Sequence, residues 1–403
     1  MNNATHLKIA SAPYWYEELL NVDNYYHFPE QYYVEYDGLT NLPVEAAPEE
    51  EPAPPEETPE PEEPAPPEQT VLDEIYAAIQ KEYFTPNGRM AQTTQTAYVC
   101  ALFMGFAPKE HRALLTKFLN DEIDATDGKL RTGFVGTAYL NRTLTQVGLN
   151  DKAYALLLNE EYPGWLYEVN MGATTVWERW NSVLPNGMIS DTGMNSLNHY
   201  AYGAVMEWVY RDVAGINPME DAPGFRKILL NPNPHYSLPK VAVRYDSAMG
   251  WIGSAWEIGK GRFTWDIEVP FGSDAVVLFP NGNMDELRAG HPELTFDTCP
   301  YCGKVKTTVP AGKYHFEYKP SEPLDLILSL DTPVSVLMKQ PAALEVVFDV
   351  FPGLRPFLGR RGGTGGGDAP LRAHLTTNPV FDFPQEKIDE LEQRLQALNE
   401  TAE

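Results

Sequence analysis

Between Val44 and Gln69 the chain reads VEAAPEEEPAPPEETPEPEEPAPPEQ, with ten glutamates, nine prolines and no basic residue. No core can grow from such a stretch, because proline fixes φ and withholds a backbone donor while like charges repel and little apolar surface is available to bury. A stiff, solvated linker is predicted over 44–69, about 80 Å long at roughly 3.1 Å per residue. It divides the 403-residue chain into an aromatic, acidic N-terminal segment, 1–43, whose sequence shows no clear period and supports no assignment, and a long remainder. The ten glutamates supply over a third of the formal net charge of −27, so the acidity belongs mostly to the linker and does not describe a binding face.

A balance this acidic argues against nucleic acid and anionic membrane as partners. No apolar run approaches the roughly 20 residues of a membrane span, and the N-terminus lacks a basic region followed by an apolar core. Three cysteines are too few for a disulfide framework and agree with a reducing compartment. A cytoplasmic location is expected.

From about residue 70 to 218 the pattern is helical. The stretch VLDEIYAAIQKEYF sets Val71, Ile75, Ala78 and Ile79 on one stripe, and Pro86-Asn87-Gly88 ends it. An αα-hairpin follows over 94–106 and 109–123, then helices near 134–148 and 151–159, and a last one over 195–214, giving about six. Residues 219–319 change character. In GRFTWDIEVPFG, Phe263, Trp265, Ile267 and Val269 alternate with Arg262, Thr264, Asp266 and Glu268, the period of a half-buried strand. Similar runs at 225–230, 239–244, 251–258, 274–280 and 313–318 predict an antiparallel β-sandwich. Residues 320–403 read as a small helical module. Short helices start at Asp331-Thr332-Pro333 and at Pro341, GRRGGTGGGDAP (359–370) is a loop, and Ile388, Leu391, Leu395 and Leu398 stripe a terminal helix that is expected to pack.

Chemistry concentrates between Gly172 and Gly203, GATTVWERWNSVLPNGMISDTGMNSLNHYAYG. Aromatic rings beside a carboxylate suit a sugar, whose C–H faces pack on rings while the carboxylate handles protons. Pro185, Asn186, Gly187 and Gly193 mark a loop, and Asn195 or Ser196 is positioned to cap a helix in which Leu197, Ala201, Ala204, Val205, Trp208 and Val209 recur at helical spacing. His199 then falls in a first turn, next to the loop carrying Glu178.

The string GATTVWERW (172–180), followed by NSLNHYAYGAVMEW (195–208), resembles the signature of bacterial α-L-rhamnosidases. Three more strings resemble that family: EYFTPNGRMAQTTQTAYVCAL (82–102), LRTGFVGTAYLNRTL (130–144) and NEEYPGWLYEVNMGATT (159–175). The likeness covers roughly 71 to 319. It implies a multidomain chain, with an all-α six-hairpin (α/α) toroid over 70–218, partial here, and then the family's C-terminal β-sandwich over 219–319. It implies a glycoside hydrolase that releases terminal α-L-rhamnose with inversion and needs neither cofactor nor metal. Glu178 matches the general base and His199 a substrate-contacting histidine. Trp177, Trp180 and Trp165 are candidate pocket walls, and Arg179, a further candidate substrate contact, would help hold Glu178 ionised if its side chain turns the same way. For each indole, core packing is an equal reading. Gly133, Gly136, Thr137 and Gln95 read as architectural.

Twelve helices close such a toroid, and about six are legible. The segment that carries the family's general acid has no counterpart, so it is expected to be missing. A missing N-terminal half supplied in trans, or a homo-oligomer, is the partner this implies, besides a rhamnose-containing glycoside. Two further readings stay open: an inactive, carbohydrate-binding remnant, and another six-hairpin glycosidase or phosphorylase. Cys299-Pro300-Tyr301-Cys302-Gly303 spells both a redox pair and one zinc-ribbon knuckle, but no βαβ context and no second C-x-x-C accompany it. A turn between strands with two free thiols is the favoured reading, with an intermolecular metal or redox role as the alternative.

Overall fold

The computed structural model describes residues 68–191, 193–358, 369–377 and 383–401. The N-terminal segment, the linker up to Pro67 and most of the Gly-rich stretch lie outside the described residues. Helix α1 is Glu68–Tyr83, so it begins two residues inside the predicted linker. Its expected stripe is largely exposed, with Val71 and Ile75 each more than two-fifths accessible.

Helices α2 (Gln95–Phe103), α3 (Arg112–Asp124), α4 (Phe134–Gln146) and α5 (Asn150–Leu157) form the helical layer. Thr94 caps α2 by accepting the Ala97 N–H, one of the donors a helix start leaves unpaired. Leu115, Leu119 and Ile123 recur every fourth residue on α3 and are fully buried. Helix α4 is the hub, packing on α2, α5 and the final helix. It can do so because Gly136 brings its backbone against Thr96 and Thr132; a Cβ there would meet Thr96 Oγ1 at 2.4 Å. Gln95 clamps the loop after α3, donating to Thr126 Oγ1 and Lys129 O while its Oε1 accepts the Arg131 N–H at 2.7 Å. The strings read as architectural do that work.

A short helix that the periodicity did not reveal, α6 (Trp165–Asn170), opens the signature region. The expected helix over 195–214 is corrected in form. A 3₁₀ turn covers Ala201–Ala204, α7 is only Val205–Trp208, and a π turn covers Val209–Val213. Buried charge explains part of this segment's fixity. Arg142 on α4 binds Glu207 at 2.8 Å and Asp212 at 3.2 Å, and Arg211 also reaches Glu207. Burial raises the Asp212 carboxyl to about 6 against the pull of Arg142.

The sheets follow at once. Strands β1 (Ile216–Pro218), β2 (Lys227–Leu230), β3 (Lys240–Ser247), β4 (Gly250–Gly259), β5 (Arg262–Val269) and β6 (Asp274–Phe279) precede α8 (Met284–Gly290). After it come β7 (Asp297–Thr298), β8 (Val305–Val309) and β9 (Gly312–Tyr318). They make two sheets, ordered β1-β2-β6-β8-β7 and β3-β4-β5-β9. The pairing is antiparallel except that β2 runs parallel to β6. The alternation read in β5 holds, with Phe263, Trp265, Ile267 and Val269 all buried. Trp265 meets Phe279 of the opposite sheet edge-on at 5.9 Å, and Phe279 meets Phe316 at 4.9 Å. Burying each such ring contributes on the order of 2–3 kcal/mol.

Helical layer and sheets share one apolar core. Their junction is Gly215, whose φ of +80° favours glycine and whose Cβ, if present, would meet the Pro232 nitrogen at 2.2 Å. Trp256 Nε1 donates to Val213 O at 2.9 Å and Ser254 Oγ to Ala214 O at 2.6 Å, so β4 satisfies carbonyls the helix end would leave bare. The C-terminal module has its own core. Helices α9 (Val334–Leu337), α10 (Pro341–Val350), α11 (Arg355–Leu358), α12 (Leu371–Thr376) and α13 (Gln385–Thr401) compose it. Ile388, Leu391 and Leu395 of α13 are buried in it, as the packing reading expected.

Candidate active site

The signature loop is held by backbone pairing across its two arms. Glu178 N–H donates to Ser196 O at 2.9 Å and His199 N–H to Val176 O at 2.8 Å. These bonds explain why 195–200 is not helical: the backbone groups a first turn would need are engaged with 176–178, and Met194 sits at φ +41°. Asn195, expected as a cap, instead ties the loop by donating from Nδ2 to Ser182 O and Ser190 O, each at 3.2 Å. Pro185-Asn186-Gly187 makes the predicted turn, with Val183 and Ile189 bridged across it.

Glu178 is half-buried. Its Oε2 accepts the Ser196 N–H at 2.7 Å, a charge-assisted bond that fixes the carboxylate. No hydrogen bond to its Oε1 is found among the described residues. His199 precedes the helical turn rather than lying in it. Its Nδ1 accepts the Ala201 N–H at 3.3 Å, so the neutral ring carries its proton on Nε2, assigned here from the bonding pattern, and presents a donor. The ring lies between Phe134 at 4.8 Å and Tyr200 at 5.3 Å, both stacked on it and both substantially exposed. Arg179 turns toward the far arm, Nε donating to Met194 O at 3.1 Å.

The three tryptophans are used differently from a pocket wall. Trp165, Trp177 and Trp180 are all less than a tenth exposed. Trp165 Nε1 donates to Tyr202 O, and Trp180 stacks on the Tyr202 ring at 3.9 Å. The Trp165 and Trp180 indoles are thus engaged with Tyr202, and Trp177 is buried. The exposed rings beside His199 are those of Phe134 and Tyr200. Neither stood out in the sequence, although Tyr200 adjoins His199.

Glu168 was also missed. It sits on α6, 4% exposed, and its Oε2 accepts the main-chain N–H of Trp177 at 3.3 Å. Oε1 has no partner among the described residues. Burial pushes this carboxyl up to about 7, opposed by the Trp177 N–H, and burial, with the Glu168 charge second, raises the phenol of Tyr202. Glu168 thus holds the main chain at the residue before Glu178. Its only sequence signal is a charge between apolar neighbours in LYEVN.

Comparison with known proteins identifies the family. Residues 67–213 match the bacterial alpha-L-rhamnosidase 6 hairpin glycosidase domain, and residues 215–292 match the C-terminal domain of the same enzymes. Over these stretches the chain belongs to the bacterial α-L-rhamnosidase family. An α-L-rhamnosidase of Formosa agariphila is 35% identical over 228 residues, and one of Streptomyces avermitilis is 36% identical over 221, each match taking in 55% of this chain. The chain spans only 24% and 21% of those relatives' lengths. The crystal structure of the Streptomyces avermitilis α-L-rhamnosidase complexed with L-rhamnose superposes with a TM-score of 0.56 at 33% identity, over 62% of this chain and 24% of that one. The Aspergillus terreus α-L-rhamnosidase gives 0.55 at 32% identity, over 62% and 27%.

Proposed function

We propose that this chain carries the base-side half of an inverting α-L-rhamnosidase site, releasing terminal α-L-rhamnose from glycosides. The observation that carries the reading is the Glu178 carboxylate, pinned through Oε2 to the Ser196 N–H with Oε1 left to act. As general base, Oε1 takes a proton from water while that water attacks the anomeric carbon opposite the leaving group. Inversion requires a second carboxyl roughly 6.5–9.5 Å away to protonate the leaving oxygen. That acid is supplied from outside the described residues. His199 Nε2–H donates to a sugar hydroxyl. The exposed rings of Phe134 and Tyr200 pack on the C–H faces and 6-methyl of the deoxy sugar.

Apolar exposure around the loop supports the same reading. Val135, Val169, Met188, Ile189 and Met194 are each more than half accessible, a concentration that fits a face built to be covered by further helices.

The test is hydrolysis of an aryl α-L-rhamnoside by the whole chain and by Glu178→Gln, with the anomer of released rhamnose followed by NMR. The expected outcome is initial release of the inverted anomer and a loss of about 10²–10⁴-fold in the variant. Equal rates in both proteins defeat the assignment of Glu178. If neither hydrolyses, calorimetric titration with rhamnose decides whether the chain is a binding remnant, which heat of binding lost in His199→Ala supports.

A further inference from the structure

Three side chains of α6 reach the signature segment at three separate points. Trp165 Nε1 donates to Tyr202 O at 2.9 Å, Tyr167 Oη donates to Val183 O at 3.0 Å, and Glu168 Oε2 accepts the Trp177 N–H at 3.3 Å. All three residues are less than a tenth exposed, and a hydrogen bond lost in such surroundings leaves its partner unpaid by water. Of the three ties, only that of Glu168 falls next to Glu178 in the chain.

The arm that carries Glu178 is held at consecutive residues. Val176 O accepts the His199 N–H at 2.8 Å, and the Glu178 N–H donates to Ser196 O at 2.9 Å. Both of these bonds run from one arm of the loop to the other, and neither fixes the loop to the helical layer. Between them stands Trp177, whose N–H is taken by a side chain from a different element. The main chain at Trp177 sets where the Glu178 side chain starts, and from there its Oε2 meets the Ser196 N–H at 2.7 Å.

Glu168 has no second hydrogen-bonding task among the described residues. Its Oε1 is buried without a hydrogen-bond partner there. A buried carboxyl with an unsatisfied oxygen costs stability, and an apolar side chain of similar length would cost less. Packing alone therefore does not account for a carboxyl at this position, whereas its bond to the base-carrying arm does.

We propose, on the reading of Glu178 as the base, that Glu168 is a positioning residue for it: by holding the Trp177 N–H, Glu168 fixes the arm so that the Glu178 carboxylate meets the Ser196 N–H. Glu168 acts through the main chain and not on the substrate.

The test needs no turnover. Amide-resolved hydrogen exchange is followed at one pH in the whole chain and its variants, where the Trp177 amide reports the Glu168 bond and the Ser196 amide reports the Glu178 bond. In Glu168→Met both amides should exchange at least about tenfold faster, while those of β4 and β5 stay as in the parent. Glu168→Gln keeps an acceptor oxygen and should restore both. Tyr167→Phe, which cuts the tie to Val183, should leave both protected, and Glu178→Ala should free Ser196 but not Trp177. The proposal is overturned if Ser196 stays protected in Glu168→Met, if Glu168→Gln loses its protection as fully as Glu168→Met, or if exchange speeds up evenly through β4 and β5 as well. Failure of the underlying reading shows separately, as equal hydrolysis by the parent and Glu178→Gln.

Discussion

The sheet domain and the helical layer before it treat apolar surface differently. Between β1 and β9 the inward rings of Trp256, Phe263, Trp265, Phe279, Phe316 and Tyr318 are all at most 2% exposed, and each finds its neighbour within that domain. The helical layer leaves Phe134, Val135, Val169, Met188, Ile189, Met194 and Tyr200 open, and these residues lie in the segments around Glu178. A sandwich satisfies both inner faces with strands close in sequence, whereas a toroid needs every hairpin before its lumen is lined. The sheets are therefore a finished core, whereas the described helical layer keeps apolar side chains exposed around Glu178.

Five substitutions break or sharpen that contrast. The largest effect is expected for Trp265→Ala, which empties the middle of the sheet core and removes the Nε1 donor to Ser254 Oγ. Urea unfolding should show a loss of about 3–5 kcal/mol, and a loss below about 1 kcal/mol would mean the sheets do not anchor the fold. Next is Arg142→Met, which strands the carboxylates of Glu207 and Asp212 in the helical layer; a comparable loss of about 3–5 kcal/mol is expected at pH 8. Burial already raises Asp212 to about 6 against the pull of Arg142 and losing Arg142 raises it further, so the loss should shrink as pH falls toward 6, where the variant's carboxyl takes up a proton first.

Glu168→Gln tests the support beneath the loop. The folded carboxyl titrates at about 7 and its ordinary value is 4.5, so its protonation favours the folded state. That contribution is fully present below pH 4.5 and is lost as pH rises through 7, by on the order of 3 kcal/mol at most. The amide keeps an acceptor for the Trp177 N–H and does not titrate. Between pH 5 and 8 the melting temperature of Glu168→Gln should therefore rise relative to the parent, and a gap independent of pH would refute the assignment. The smallest effect is expected for Val135→Ser or Ile189→Ser. Each should change stability by no more than about 0.5 kcal/mol while lowering binding of a hydrophobic dye. A loss above about 1 kcal/mol would show that this face is covered in solution.

Much of this was legible beforehand. The strand alternation in β5, the helices over 95–103, 112–124 and 134–146, and the packing of α13 all follow from local period, which local sterics and burial impose directly. The signature loop was legible as chemistry but not as shape. Leu197, Ala201, Ala204, Val205 and Trp208 keep helical spacing, yet the segment is loop to Tyr200, because cross-arm bonds from Glu178 and His199 outweigh one turn's worth of local hydrogen bonds. The π turn at Val209–Val213 and helix α6 likewise depend on what they pack against.

Local periodicity thus determined most of the helices and strands and the order of helical and sheet regions, and the resemblance of short strings pointed to Glu178, since these reside in short stretches of chain. Only the folded chain decided that Trp165, Trp177 and Trp180 are support, that Phe134 and Tyr200 flank His199, that Glu168 holds the loop, and that β2 runs parallel to β6. Each of those depends on which distant residue excludes water from which side chain, and that is fixed by contacts between segments far apart in sequence.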